Sequence, residues 1–166
     1  MTVTSTRSDP EALTLTVVAE FEAPVERVWQ VWEDPRQLER WWGPPTWPAT
    51  FARHDFVAGG ESRYVMTGPD GETAGGWWRM TAVEPTHRLE WEDGFADASG
   101  DPDPSMPVTR AEMTLERRDG TTVMTTVSRF DSLEQLEQLI AMGMLEGLRL
   151  AMGQIDDLLE TVPAGD

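Results

Sequence analysis

Cysteine and lysine are both absent from the 166 residues. The first absence excludes disulfides, thiolate metal sites and a Cys nucleophile, and nothing then calls for an oxidising compartment. The second leaves Arg to carry all thirteen basic charges, which removes Schiff-base chemistry and the phosphate-binding Lys of a P-loop. Long apolar runs are missing as well: none approaches the ~20 residues of a membrane span, and residues 1–10 lack the apolar centre of a signal peptide. Membrane insertion is therefore not expected, and the expected location is the cytoplasm. Positive charge is scarce, since the formal net charge is −17 and no basic stripe offsets it. A phosphate backbone would be repelled, so nucleic acid is not an expected partner. The acidity reads as a solvated surface that favours solubility.

What is present has the size of one domain built on one core. Residues 1–10 read as a disordered arm, 11–162 as the domain and 163–166 as a tail. From Leu13 the pattern alternates, placing Leu13, Leu15, Val17, Ala19 and Phe21 on one face of a half-buried strand. Ala23-Pro24 opens a helix with the apolar stripe Val25, Val28, Trp29 and Trp32. Asp34-Pro35 breaks it, and a second short helix carries Leu38, Trp41 and Trp42 up to Gly43-Pro44-Pro45. Strand-like segments follow at about 49–57, 60–67, 73–84, 87–93, 107–118 and 121–130. Pro69-Asp70-Gly71 and Asp119-Gly120 are hairpin-type turns, and the stretch from Gly94 to Pro107, rich in Gly, Pro and Asp, is the one long loop.

Ser132 and Gln135 form a capping-box pattern, and a helix is predicted from there to about Thr161, roughly 45 Å long if straight. Its stripe reads Leu133, Leu136, Ile140, Met144, Gly147, Ala151, Ile155, Leu158, large at the ends and small in the middle. The fold class is thus α+β: a curved antiparallel sheet of six to seven strands, two short helices after the first strand, and a long C-terminal helix. Gly143, Gly147 and Gly153 each cost about 1 kcal/mol relative to Ala in a helix interior. Close approach of helix and sheet, or a bend, accounts for them; alternatively the small face leaves room for a ligand. An empty apolar pocket of ~300 Å³ would forfeit roughly 7 kcal/mol, comparable with the stability of a whole domain. A hollow there must be collapsed, wet or occupied.

Eight Trp and nine Met supply large, adaptable walls for such a hollow. Alternation groups Ser62, Tyr64 and Met66 on one strand face, and likewise Trp78, Met80 and Ala82, then Leu89 and Trp91, then Ala111, Met113 and Leu115. On the last strand Met124, Thr126, Ser128 and Phe130 compete with Val123, Thr125 and Val127 for the inside. The candidate ligand contacts are Trp41, Trp42, Trp47, Tyr64, Met66, Trp78, Met80, Trp91, Met113, Met124, Met144, Gly147 and Ala151. The entrance is expected near 94–107 and 41–47, the partner is an apolar small molecule, and no cofactor is called for.

Catalytic candidates are thin. His54 and Asp55 are adjacent in a strand and so face opposite sides, which prevents a dyad. His87 follows Pro85 in a turn, two separated histidines do not make a metal site, and no Ser sits in a nucleophile elbow. Glu61, Arg63 and Arg79 read as surface strand charges. An enzyme would have to work through Ser62, Tyr64, Thr126 and Ser128, with His54 if it turns inward.

The run FEAPVERVWQVWEDPRQLERWWGPP, from Phe21 to Pro45, resembles the opening of the activator-of-heat-shock-ATPase-like branch of the START-like, polyketide-cyclase (SRPBCC) superfamily. So does FVAGGESRYVMTGPDGE, from Phe56 to Glu72, and with the last helix the likeness covers about residues 21–159. The resemblance implies a helix-grip fold, in which a long helix lies across the sheet over a cavity. Members of that superfamily include lipid and hormone binders, aromatase/cyclases and co-chaperone domains. It therefore implies three readings: a binder of an apolar or aromatic small molecule, which leads; a cyclase- or hydrolase-like enzyme using the same cavity; and a co-chaperone-like regulator of a heat-shock ATPase. A homodimer is compatible with each. Where the branch often carries Gly-Trp, this sequence has Gly143-Met144, a smaller and more pliable wall.

Overall fold

Alternating burial runs through most of the strands of the computed structural model, which describes residues 3–161. The strands are β1 (Val3–Asp9), β2 (Thr14–Phe21), β3 (Ala49–His54), β4 (Glu61–Thr67), β5 (Thr73–Glu84), β6 (Arg88–Ala96), β7 (Thr109–Arg118) and β8 (Thr121–Arg129). All pair antiparallel in the order β1-β2-β8-β7-β6-β5-β4-β3. The six strands from β3 to β8 form a meander. One irregularity in the β3–β4 register, near Phe51, and one in the β5–β6 register, near Met80, bend the sheet.

The eighth strand is the correction to the sequence reading. Residues 3–9 of the expected disordered arm form β1, paired with β2 from Val3 opposite Ala19 to Asp9 opposite Thr14. The Asp9 side chain accepts the N–H groups of Glu11 and Ala12, each at 3.1 Å, and Leu13 takes φ +57°, which turns the chain back on itself. Leu13 therefore belongs to the turn, not to the strand face expected for it. The polar composition that suggested disorder suits an exposed edge strand, where Thr and Ser keep β propensity and polar side chains discourage further pairing. The expected tail at 163–166 lies outside the described residues.

Between β2 and β3 the chain crosses to the far edge of the sheet through α1 (Val25–Glu33) and α2 (Pro35–Leu38). Pro24 precedes α1 in an extended conformation, and Asp34 caps α2 by accepting the Arg36 N–H at 2.9 Å. Buried Arg27 donates to Gln37 Oε1 at 2.8 Å and to the Leu158 carbonyl at 3.1 Å, tying these short helices to the C-terminal end.

The C-terminal helix runs in three segments, α3 (Leu133–Ala141), α4 (Met144–Met152) and α5 (Ile155–Thr161). Ser132 caps α3 by accepting the Gln135 N–H at 3.1 Å. At Gly143, φ is +91°, a left-handed conformation that ends α3 and costs a residue with a Cβ about 1–2 kcal/mol. Much of the predicted stripe holds across the break, with Leu136, Ala151, Ile155 and Leu158 buried; Leu139 and Met152 join it, while Leu133 is 45% exposed. Among the described residues no helix is long and apolar enough to cross a membrane.

The core fills the space between α1, α5 and the concave face of the sheet. Trp32, Trp41, Trp78 and Trp91 are all buried, with ring centroids 4.8–6.2 Å apart in the contacts Trp32 makes with the other three. On β8, Thr122, Met124, Thr126 and Ser128 are buried, which assigns that set to the inside.

Candidate functional site

Packing is solid under α1 and α5 but opens under the α3–α4 junction. A half-enclosed pocket of about 280 Å³ lies there between the helices and the ends of β4, β6 and β7. Leu139, Met142, Gly143, Met144, Gly147, Leu148 and Ala151 form its roof. Trp42, Gly43 and Pro44 form one side, and Tyr64, Met66, Asp93, Gly94, Phe95 and Thr109 come from the strands. A Cβ added at Gly147 would meet nothing within 4 Å, so this helix-interior glycine borders open space and does not serve close packing.

Six of the thirteen sequence candidates line this pocket: Trp42, Tyr64, Met66, Met144, Gly147 and Ala151. The other seven do not. Trp41, Trp78, Met80, Trp91, Met113 and Met124 point to the same concave side but are at most 2% exposed, because α1, α2 and α5 cover that part of the sheet. Trp47 lies outside the pocket with its ring against the Gly68 backbone, where a Cβ would come within 2.7 Å of it. The loop after β6 is short of its expected span, since β6 continues to Ala96. It is folded by Asp97, which accepts the Ser99 and Asp101 N–H groups at 2.9 and 3.1 Å, and Arg63 donates to the Gly100 carbonyl at 2.8 Å.

The polar end of the pocket is Asp93, absent from the sequence candidates. Leu89, Trp91, Asp93 and Phe95 share one strand face, so the alternation already carried as far as Trp91 points to it. Ending the strand at 93 and beginning a loop at Gly94 hid that signal. Register sets Asp93 beside Trp78 on β5 and Thr109 on β7. Tyr64, from β4, reaches across β5 to place its hydroxyl 3.5 Å from Asp93 Oδ1. It can do so because Gly76 lies opposite it, where a Cβ would stand 2.2 Å from the phenol ring. The Trp91 indole N–H lies near the Asp93 carboxyl, and those of Trp42 and Trp78 near the Tyr64 oxygen, without reaching hydrogen-bond geometry.

Removal from water pushes the Asp93 carboxyl up to about 7, with the Tyr64 hydroxyl and Trp91 indole holding the shift back. Burial, with the Asp93 charge second, raises the Tyr64 phenol well above its ordinary range. Because the folded state holds the Asp93 proton more tightly than the unfolded chain, stability from this group is present below the ordinary value of 3.8 and is lost as pH rises to about 7. Asp93→Asn is therefore expected to be more stable than the parent at pH 8, by on the order of 1–3 kcal/mol, and no more stable at pH 4. Urea unfolding of both proteins at the two pH values checks this; a variant no more stable at pH 8 would contradict it.

A family model described as Activator of Hsp90 ATPase homolog 1-like protein matches residues 22–160. The chain belongs to that family. Among solved structures, the solution structure of a protein from Arthrobacter aurescens is 54% identical, covers 98% of this chain and 94% of that one, and superposes with a TM-score of 0.92. A crystal structure of a protein from Mycobacterium smegmatis is 47% identical over 95% of this chain and 98% of that one, with a TM-score of 0.87. One from Rhodobacter sphaeroides, at 25% identity, covers 96% and 98% with a TM-score of 0.79. Comparison with the curated proteins finds no match.

Of the catalytic candidates, Tyr64 lines the pocket and the others sit away from it. His54 does turn inward, with Nδ1 2.8 Å from Ser62 Oγ and Nε2 2.9 Å from the Trp32 carbonyl. The ring therefore donates from Nε2 and accepts the Ser62 hydroxyl, and burial lowers its basicity. Ser62 is fully buried, so the pair links β3 and β4 to α1 and presents no nucleophile. Thr126 and Ser128 lie beneath the core, outside the pocket lining. Arg53, Arg63 and Arg79 gather around Glu61 at 3.6, 3.1 and 3.7 Å, a surface ion cluster on the outer face.

Proposed function

We propose that the protein binds an apolar or aromatic small molecule in the pocket beneath the α3–α4 junction. The observation that carries this reading is the open space at Gly147: a helix accepts about 1 kcal/mol of lost propensity there relative to Ala, and no neighbouring backbone requires it. Family membership supports the same reading, because the fold is built to hold a cavity between helix and sheet. The volume of about 280 Å³ lies at the low end for ligand pockets and suits a body of about two fused rings. Flexible thioethers at Met66, Met142 and Met144 let the walls adapt to such a body.

Titration with prodan, a neutral naphthalene fluorophore without a hydrogen-bond donor, tests the proposal. Saturable blue-shifted emission with one site per chain is the expected result. Emission unchanged from that in buffer, together with no heat of binding for 2-naphthalenemethanol, would overturn it.

A further inference from the structure

Every group around Asp93 is a donor or is apolar. Tyr64 faces it from β4, Trp78 from β5, Trp91 from its own strand and Thr109 from β7. From the helices, Leu139, Met142 and Met144 close the space opposite. Among the described residues neither Arg nor His lines the pocket, so Tyr64 is the one other titratable group there and no cation among them balances the carboxylate. Four buried indole N–H groups have no hydrogen-bond partner among the described residues, and three of them, those of Trp42, Trp78 and Trp91, lie near Tyr64 or Asp93. The Trp91 N–H lies beside the Asp93 carboxyl and those of Trp42 and Trp78 beside the Tyr64 oxygen, so the local dipoles favour negative charge on this side of the pocket. The group still lacking is a donor arriving from the open side, preferably with positive charge.

We propose that the pocket selects arylalkyl or alicyclic amines, the nitrogen seated on the Asp93 carboxylate and the hydrocarbon body between Phe95, Met144 and Gly147. This rests on the pocket reading above and narrows it by class of ligand. Carboxylic acids of the same shape are disfavoured, because they would place a second negative charge beside Asp93 with no Arg to receive it. Burial keeps the Asp93 proton on until near neutral pH, so amine affinity rises between pH 6 and 8 as the carboxyl ionises while the amine stays charged.

Displacement of prodan by 2-naphthylmethylamine, 2-naphthalenemethanol and 2-naphthoic acid provides the test. At pH 8 the amine is expected to bind at least ~10-fold more tightly than the alcohol, as a charged hydrogen bond allows, with the acid weakest and the preference smaller at pH 6. In Asp93→Asn the amine and alcohol should bind alike. Equal binding of amine and alcohol to the parent at pH 8, or an amine preference that survives Asp93→Asn, would overturn the proposal and leave the pocket standing. Failure of prodan and all three naphthalenes to bind would remove the pocket reading and this inference together.

Discussion

Truncating Trp32 to Ala is expected to lower folding stability by about 3–5 kcal/mol. Trp32 is fully buried on α1 and stands at the centre of the aromatic cluster, its ring 4.8 Å from Trp41, 5.3 Å from Trp91 and 6.2 Å from Trp78. Its indole N–H is also spent inside, on the Met124 sulfur at 3.4 Å. Removing the ring opens a cavity walled by three other large, fully packed rings that have little freedom to collapse. Since a domain of this size holds only about 5–15 kcal/mol, the variant should unfold at a much lower urea concentration. Half-buried Trp47 offers the contrast: its loss should cost about 1 kcal/mol, the ordinary effect of a substitution outside the packed core. A Trp32→Ala midpoint close to that of Trp47→Ala would show that the cluster does not hold the helices on the sheet.

Placing Phe at 147 is expected to abolish ligand binding without harming the fold. The position lies inside α4 with helical backbone and open space beneath it, so a side chain there gains helix propensity of a few tenths of a kcal/mol and enters the pocket. Prodan affinity should fall by at least ~30-fold, roughly the 2 kcal/mol that burying an aromatic body contributes. The unfolding midpoint should stay level or rise. Destabilisation by Gly147→Phe would mean that the helix needs the glycine for close approach to the sheet; binding that persisted unchanged would move the ligand elsewhere.

Most strands and the core were legible because strands covered on one face alternate strictly, as β2 shows with Leu15, Val17, Ala19 and Phe21. The glycines of the last helix were legible as a group but not individually. Gly147 opens space, whereas Gly143 breaks the helix through a positive φ that composition does not reveal. That break, in turn, decides which strand residues lie under open space. Met80 and Met113 share the face of Tyr64, yet α1 and α5 seal them in, and alternation alone cannot tell a lined cavity from a filled one. Asp93 was hidden for another reason. A carboxylate beside a glycine reads as a turn, and only the register of β6 between β5 and β7, with Gly76 bare beneath Tyr64, makes it the floor of a pocket.

Methionine methyl NMR puts the central claim to its most direct test, because the thioethers divide between the two environments. Met66, Met142 and Met144 line the pocket, whereas Met80, Met113, Met124 and Met152 are fully buried in the packed core. On titration with 2-naphthalenemethanol, ring-current shifts are expected at the first three methyls and little change at the other four. Shifts concentrated on the core methyls, or none at Met66 and Met144, would contradict a ligand site beneath the α3–α4 junction.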